Sequence, residues 1–291
     1  MSSLHRLPLL LGGAFAAALL AAPAAHAAAT TTTSTNWSGY AVHRSGVRFR
    51  TASASWRQPA ATCLSATASY SSFWVGIGGY RKTSRALEQI GTELDCSSDG
   101  AETTSAWYEL VPAAAHTIHM TIEPGDRLSA TVTVDGARVS VALRDRTRGT
   151  EFTRTVVDHS LDVTSAEWIT EAPSDCSGSD CTVLPLADFG TAHFLSAAAT
   201  TTTGVTRSLT NAPWTRTRIS LGSSFEQTTN GADQETRVTA TPSALSNPLG
   251  AFTVDYSSSS KSITTPEPTG PPSTGPGGPG GPPSSSGRRS A

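Results

Sequence analysis

The chain has 291 residues, a formal charge of −2 and a sequence pI near 6.4. With no basic excess to neutralise phosphates, nucleic acid is excluded as an expected partner. Charged side chains make up 15% of the sequence, against about 25% in an average soluble protein. Gly, Ala, Ser and Thr fill the difference, a profile that suits an exported all-β protein better than a charge-rich helical enzyme of the cytosol.

In chain order, His5 and Arg6 open a short polar or basic start, an apolar run follows from Leu7 to Leu20, and Ala25-His26-Ala27 has the small-x-small form of a cleavage site. Residues 1–27 read as a secretory signal peptide. The apolar run is shorter than the roughly 20 residues of a membrane-spanning helix, so the mature protein is expected to be secreted, with no membrane partner. Export gives the four cysteines an oxidising compartment in which pairing is the default. Cys176 and Cys181 form a self-contained loop clip, which leaves Cys63 with Cys96. Neither CxxC nor CxxH occurs, so no metal is expected, and nothing calls for a cofactor.

Ile118, Met120 and Ile122 alternate with polar residues, and Pro124-Gly125 then reverses the chain. Leu128, Ala130, Val132 and Val134 alternate in the same way before Asp135-Gly136, a type I′ hairpin signal. Folding about that turn pairs Val134 with Ala137, Val132 with Val139, Ala130 with Val141 and Leu128 with Leu143. All of these apolar residues then share one face, as a half-buried antiparallel pair requires. From Ser257 onward almost no apolar side chain remains, so 257–291 is expected to be a disordered Pro/Gly/Ser-rich tail. The domain between, 28–256, is expected to be a monomeric, all-β, antiparallel two-sheet β-sandwich.

Common hydrolase signatures are absent: there is no G-x-S-x-G, no D-T-G or D-S-G, and no HExxH. His116 and His119 lie three apart on a predicted strand and point to opposite faces, so they cannot share a metal. Asp158-His159-Ser160 has the letters of a triad, but adjacency is not triad geometry. What remains is a series of polar residues in aromatic surroundings. In order these are Asn36-Trp37-Ser38-Gly39, Phe73-Trp74-Val75-Gly76-Ile77, Leu87-Glu88-Gln89-Ile90-Gly91, Ala106-Trp107-Tyr108-Glu109, Ala166-Glu167-Trp168-Ile169-Thr170-Glu171 and Leu186-Ala187-Asp188-Phe189-Gly190.

Taken together, from about Asn36 to Tyr256, these segments resemble the eqolisins, the glutamic peptidase family. The resemblance implies seven-stranded, lectin-like sheets and a secreted acid endopeptidase acting on polypeptides. It implies a catalytic pair of Gln89 and Glu167, the acid of A-E-W-I and not Glu171, with Trp37, Trp74, Trp107, Tyr108 and Glu109 lining or supporting the substrate cleft. In that scheme an ionised Glu167 takes a proton from water and returns it to the leaving amine. The Gln89 amide, which does not titrate, hydrogen-bonds the developing oxyanion. Two other readings compete: a non-catalytic lectin-like module whose Trp residues stack on sugars, and a glycoside hydrolase pairing Glu167 with Glu171, Glu109 or Glu93.

Overall fold

The computed structural model describes residues 29–64, 66–177, 180–229 and 232–262. The expected signal peptide and residues 263–291 of the expected tail lie outside them. Eighteen strands and no helix occur among the described residues. In the first half they are β1 (Ala29–Ser34), β2 (Trp37–His43), β3 (Phe49–Arg57), β4 (Ser69–Gly78), β5 (Leu87–Cys96), β6 (Glu102–Val111), β7 (His116–Ile118), β8 (Arg127–Asp135) and β9 (Arg138–Asp145). The second half adds β10 (Thr150–Val157), β11 (Ser165–Glu171), β12 (Ser174–Ser177), β13 (Asp180–Val183), β14 (Thr191–Thr201), β15 (Thr206–Ser208), β16 (Thr215–Thr229), β17 (Ala232–Pro242) and β18 (Phe252–Ser262).

The all-β, antiparallel expectation holds, with the parallel pairing of β1 along β16 as the exception among the paired strands. The expectation of two seven-stranded sheets does not. Sixteen strands form one hydrogen-bonded sheet in the order β10-β9-β8-β3-β14-β18-β17-β16-β2-β11-β4-β5-β6-β7, with β1 on β16 and β15 on β14. β17 bonds to both β16 and β18 and so joins what would otherwise be separate layers. The sheet folds back on itself: β3 lies against β4 and β11, and β8 against β4 and β5. The apolar faces of the two halves meet in one core that includes Trp56, Phe73, Val75, Val132, Val141 and Trp168. Trp168 spans it, its indole N–H donating to the Ser53 carbonyl at 2.8 Å.

The β8–β9 hairpin forms with its register displaced by two residues from expectation. Asp135 pairs with Arg138, Val134 with Val139, Val132 with Val141 and Ala130 with Leu143. The two loop residues are therefore Gly136 and Ala137. Gly136 has φ +60° and Ala137 is not among the positive-φ residues, the pattern of a type II′ turn with glycine in its first central position. A shift of two preserves parity, so apart from Ala137, now in the turn, every apolar residue still reaches the face assigned to it. The strand expected around Ile118–Ile122 ends at Ile118. The last strand runs to Ser262, past the Ser257 boundary expected for the tail. Both cysteine pairs are disulfides, Cys63–Cys96 and Cys176–Cys181.

Two buried features yield predictions. Gly39 has φ +142°, and a Cβ there would lie 2.1 Å from the Trp168 carbonyl oxygen, so the strand-to-strand approach of β2 and β11 requires glycine. Gly39→Ala is expected to destabilise the fold by more than about 2 kcal/mol in chemical denaturation. Glu88 is fully buried, and neither carboxylate oxygen has a hydrogen-bond partner among the described residues. Burial, with Asp158 and Asp162 adding to it, pushes its pKa from 4.5 to about 8. The folded state thus holds a proton that the unfolded chain releases near 4.5. The resulting stability is complete below that pH and is lost as pH rises through about 8. Glu88→Gln is expected to raise the melting temperature at pH 8, by at least about 1 kcal/mol of stability, and to leave it nearly unchanged at pH 4.

Candidate active site

The site is built from four adjacent strands, β11, β4, β5 and β6, and its layout follows from the pleat. Cross-strand pairing aligns Glu167 with Gly76, Gly76 with Gln89, and Gln89 with Glu109. The next row on the same face is Ile169, Trp74, Gly91 and Trp107, and the next is Glu171, Ser72, Glu93 and Ser105. Successive side chains alternate between faces, so all three rows look away from the main core. A second apolar cluster of Ala41, Trp74, Leu87, Trp107, Ile169 and Ile219 carpets this face. Above it lies a cleft of about 660 Å³, reached by Trp37, Gln89, Glu93, Trp107, Glu109 and Glu171.

Two polar pairs are fixed within this cleft. The Gln89 Nε2–H donates to Glu109 Oε2 at 2.6 Å, while Gln89 Oε1 has no partner among the described residues. One amide hydrogen is thereby engaged and the other remains available. The Glu171 carboxylate accepts from the Trp74 indole N–H at 2.7 Å through Oε2 and from the Asn36 amide at 2.9 Å through Oε1. Trp37 meets Trp74 edge to face at 5.0 Å and holds the indole in place. Burial raises the pKa of Glu171 to about 7. The hydrogen bonds from Trp74, Trp37 and Asn36 oppose that rise, and the negative charge of Glu109 adds to it. Glu109 is also raised by burial, against the hydrogen bond from Gln89. Further along the cleft wall, burial and neighbouring Asp95 lift Glu93 to about 7.

Glu167 does not share this arrangement. It is fully buried, it does not line the cleft, and neither carboxylate oxygen has a hydrogen-bond partner among the described residues. The reason lies one strand away. A Cβ on Gly76, its cross-strand neighbour, would lie 3.0 Å from both Leu87 Cδ1 and Trp74 Cζ3, so these two side chains close over that end of the row. Burial raises the Glu167 pKa well above its ordinary value. The nearby Ser165 hydroxyl offsets only part of this, and the charges of Asp162 and Glu88 increase it. Of the two acids on β11, the one that reaches the cleft is therefore Glu171 and not Glu167, the acid expected there.

Tyr108, expected to line or support the cleft, does not line it. Lying between Trp107 and Glu109 on β6, it must face the opposite way, and it packs in the main core against Phe152 and His116. Trp37, Trp107 and Glu109 line the cleft, whereas Trp74 is wholly buried beneath it and acts through its N–H. The contact that sequence reading missed is Asn36. Its only signal was its place beside Trp37 in the N-W-S-G segment.

The model of the Peptidase A4 family matches residues 35–241. Scytalidopepsin B of Scytalidium lignicola is 33% identical over 193 residues, covering 64% of this chain and 70% of that protein. Among solved structures, scytalido-glutamic peptidase with a transition-state analogue inhibitor superposes with a TM-score of 0.59 at 27% identity, covering 77% of this chain and 98% of the other. SCP-B, described as a member of the eqolisin family in complex with the tripeptide Ala-Ile-His, gives a TM-score of 0.54 at 26% identity over the same shares. The chain belongs to the Peptidase A4 family and is a glutamic endopeptidase of the eqolisin type.

Proposed function

We propose that this chain is a secreted endopeptidase that cleaves proteins in acid, with Gln89 and Glu171 as its working pair, on a sheet folded into a two-layer sandwich. The observation that carries the reading is the convergence in one cleft of a carboxylate held by Trp74 and Asn36 and an amide held by Glu109. Relatives bound to a transition-state analogue and to a tripeptide support a peptide as the occupant. The lectin-like and glycosidase readings gain nothing from the family match. The two disulfides suit the oxidising space outside the cell. The protein works there as a monomer, without metal or cofactor.

The pKa of Glu171 changes the order of proton transfers from that expected of a carboxylate titrating near its ordinary value. With a pKa of about 7, Glu171 enters the reaction in mild acid as the neutral acid, as raised carboxyls do in other hydrolases. Its proton passes to the substrate carbonyl oxygen, where the free Gln89 N–H also stabilises developing charge. The carboxylate so formed takes a proton from the attacking water, which gives a neutral tetrahedral diol. Glu171 then protonates the amide nitrogen as the C–N bond breaks and recovers a proton from the diol. The products are a carboxylic acid and an amine, and the enzyme ends in the state in which it began. Trp107 Nε1, which has no partner among the described residues, offers one more donor to the bound peptide.

The test is casein cleavage across pH 3–9 by the secreted protein and Gln89→Ala. Loss of the amide donor is expected to lower kcat by about 10²–10³-fold with little change in KM. Because the working form is protonated, activity is expected to fall about tenfold per pH unit above about 7. Unchanged kcat in Gln89→Ala would remove the amide from the mechanism. Activity that climbs through pH 7 to a plateau would instead make Glu171 a base from the outset.

A further inference from the structure

The cleft is not the only sizeable pocket among the described residues. A pocket of about 790 Å³ lies on the other side of β2 and β16 and shares no lining residue with the cleft. Its geometry follows from the same alternation. On β16, Thr217 turns toward the cleft side, where it meets the Tyr80 hydroxyl at 3.1 Å, while Arg216 and Arg218 turn the opposite way, across from Val42 and Tyr40 of β2. Arg207 joins them on the pocket wall, and no Asp or Glu lines it.

The three arginines are not neutralised. None makes an ion pair with a described residue. Arg216 donates to the Leu209 and Thr210 carbonyls, at 3.1 and 2.6 Å, and is thereby fixed in place. Arg218 makes no side-chain hydrogen bond to any described residue, and its Nε is buried without a partner. Arg218 is half-buried, and an anion at the pocket would give its buried Nε–H the acceptor it lacks while leaving the rest of the guanidinium free to bind it as well. The fields of both arginines converge on the pocket, because both act to lower the pKa of Tyr40, which burial raises. The remaining wall is largely apolar, with Ala212, Pro213 and Leu245.

We propose that this pocket is a second binding site, for a small carboxylate that carries an apolar body. Arg218 provides the planar fork that matches a carboxylate, Arg207 and Arg216 supply the surrounding positive field, and Ala212, Pro213 and Leu245 take the apolar part. A free organic acid and the C-terminal end of a peptide finishing in an apolar residue share this chemistry. The site stands independently of the reading of the cleft, since no residue is common to both.

Calorimetric titration of the secreted protein tests it with N-acetyl-leucine, 4-methylpentanoate and N-acetyl-leucinamide, which keeps the apolar body and lacks the charge. Arg218→Gln is the informative variant, because Arg218 holds no described residue in place and lies outside the cleft, so casein cleavage should be unchanged. Saturable binding of the carboxylates is expected, weakened about tenfold or more in the amide and in Arg218→Gln. Tighter binding of N-acetyl-leucine than of 4-methylpentanoate assigns the peptide source, and the reverse or equality assigns the free acid. Absence of saturable binding by either carboxylate, equal binding of the amide, or binding retained in Arg218→Gln overturns the proposal.

Discussion

An indole N–H can donate one hydrogen bond and accept none, so a fully buried tryptophan must find an acceptor within reach or bear the cost of an unmet donor. In this protein the Trp74 N–H finds Glu171. That bond ties the floor of the cleft to the carboxyl proposed to work above it. Trp74 belongs at once to the apolar carpet beneath the site and to the polar chemistry over it. The neighbouring glycines follow from close packing against the same stretch of β4, the Phe73 carbonyl oxygen lying 2.3 Å from where a Gly91 Cβ would be. A Cβ on Gly91 would lie 2.6 Å from Trp74 Cβ, and one on Gly76 would press on the indole itself. The W-V-G-I and Q-I-G segments are thus two sides of one packing requirement.

Burial then sets the electrostatics. The strands carrying the site also hold Glu88, Glu93, Glu109, Glu167 and Glu171, and each has its pKa raised by burial as the largest cause. No arginine or lysine forms an ion pair with any of them among the described residues. Such carboxyls are comfortable as neutral acids and costly as anions. Each raised carboxyl makes the fold more stable in acid than in alkali, in keeping with the acid endopeptidase proposed above. Lys82 reaches the cleft without an ion pair to any of these acids, and three arginines lie together on the opposite side of β16.

Much of this was legible in the sequence because period-two alternation survives errors of register. The hairpin at Gly136 slipped by two residues from the expected pairing, and still Val132, Val134, Val139 and Val141 reached the core. Gln89 in the cleft and both disulfides were equally accessible from the chain. Alternation alone does not say which acid of β11 reaches the cleft. Glu167 and Glu171 are four apart and share a face, so parity cannot separate them. What separates them is position along the strand, roughly 13 Å apart, and the closure of Leu87 and Trp74 over Gly76, which is a packing fact. Alternation also places Tyr108 in the core and not on the cleft, since its neighbours Trp107 and Glu109 both face the cleft. The continuity of the sheet through β17 had no sequence signal, because an edge strand and a bridging strand read alike.

The central claim is that the acid of the catalytic pair is the one exposed to the cleft and held by Trp74, not the sealed acid four residues before it. The direct measurement is kcat/KM for a peptide substrate at pH 4 with Glu171→Gln and Glu167→Gln side by side, each variant first confirmed as folded by its thermal transition. The account predicts that Glu171→Gln loses 10²-fold or more, on the order expected for a proton-transfer group, while Glu167→Gln stays within about threefold of the parent protein. Activity abolished in a folded Glu167→Gln and retained in Glu171→Gln would contradict it.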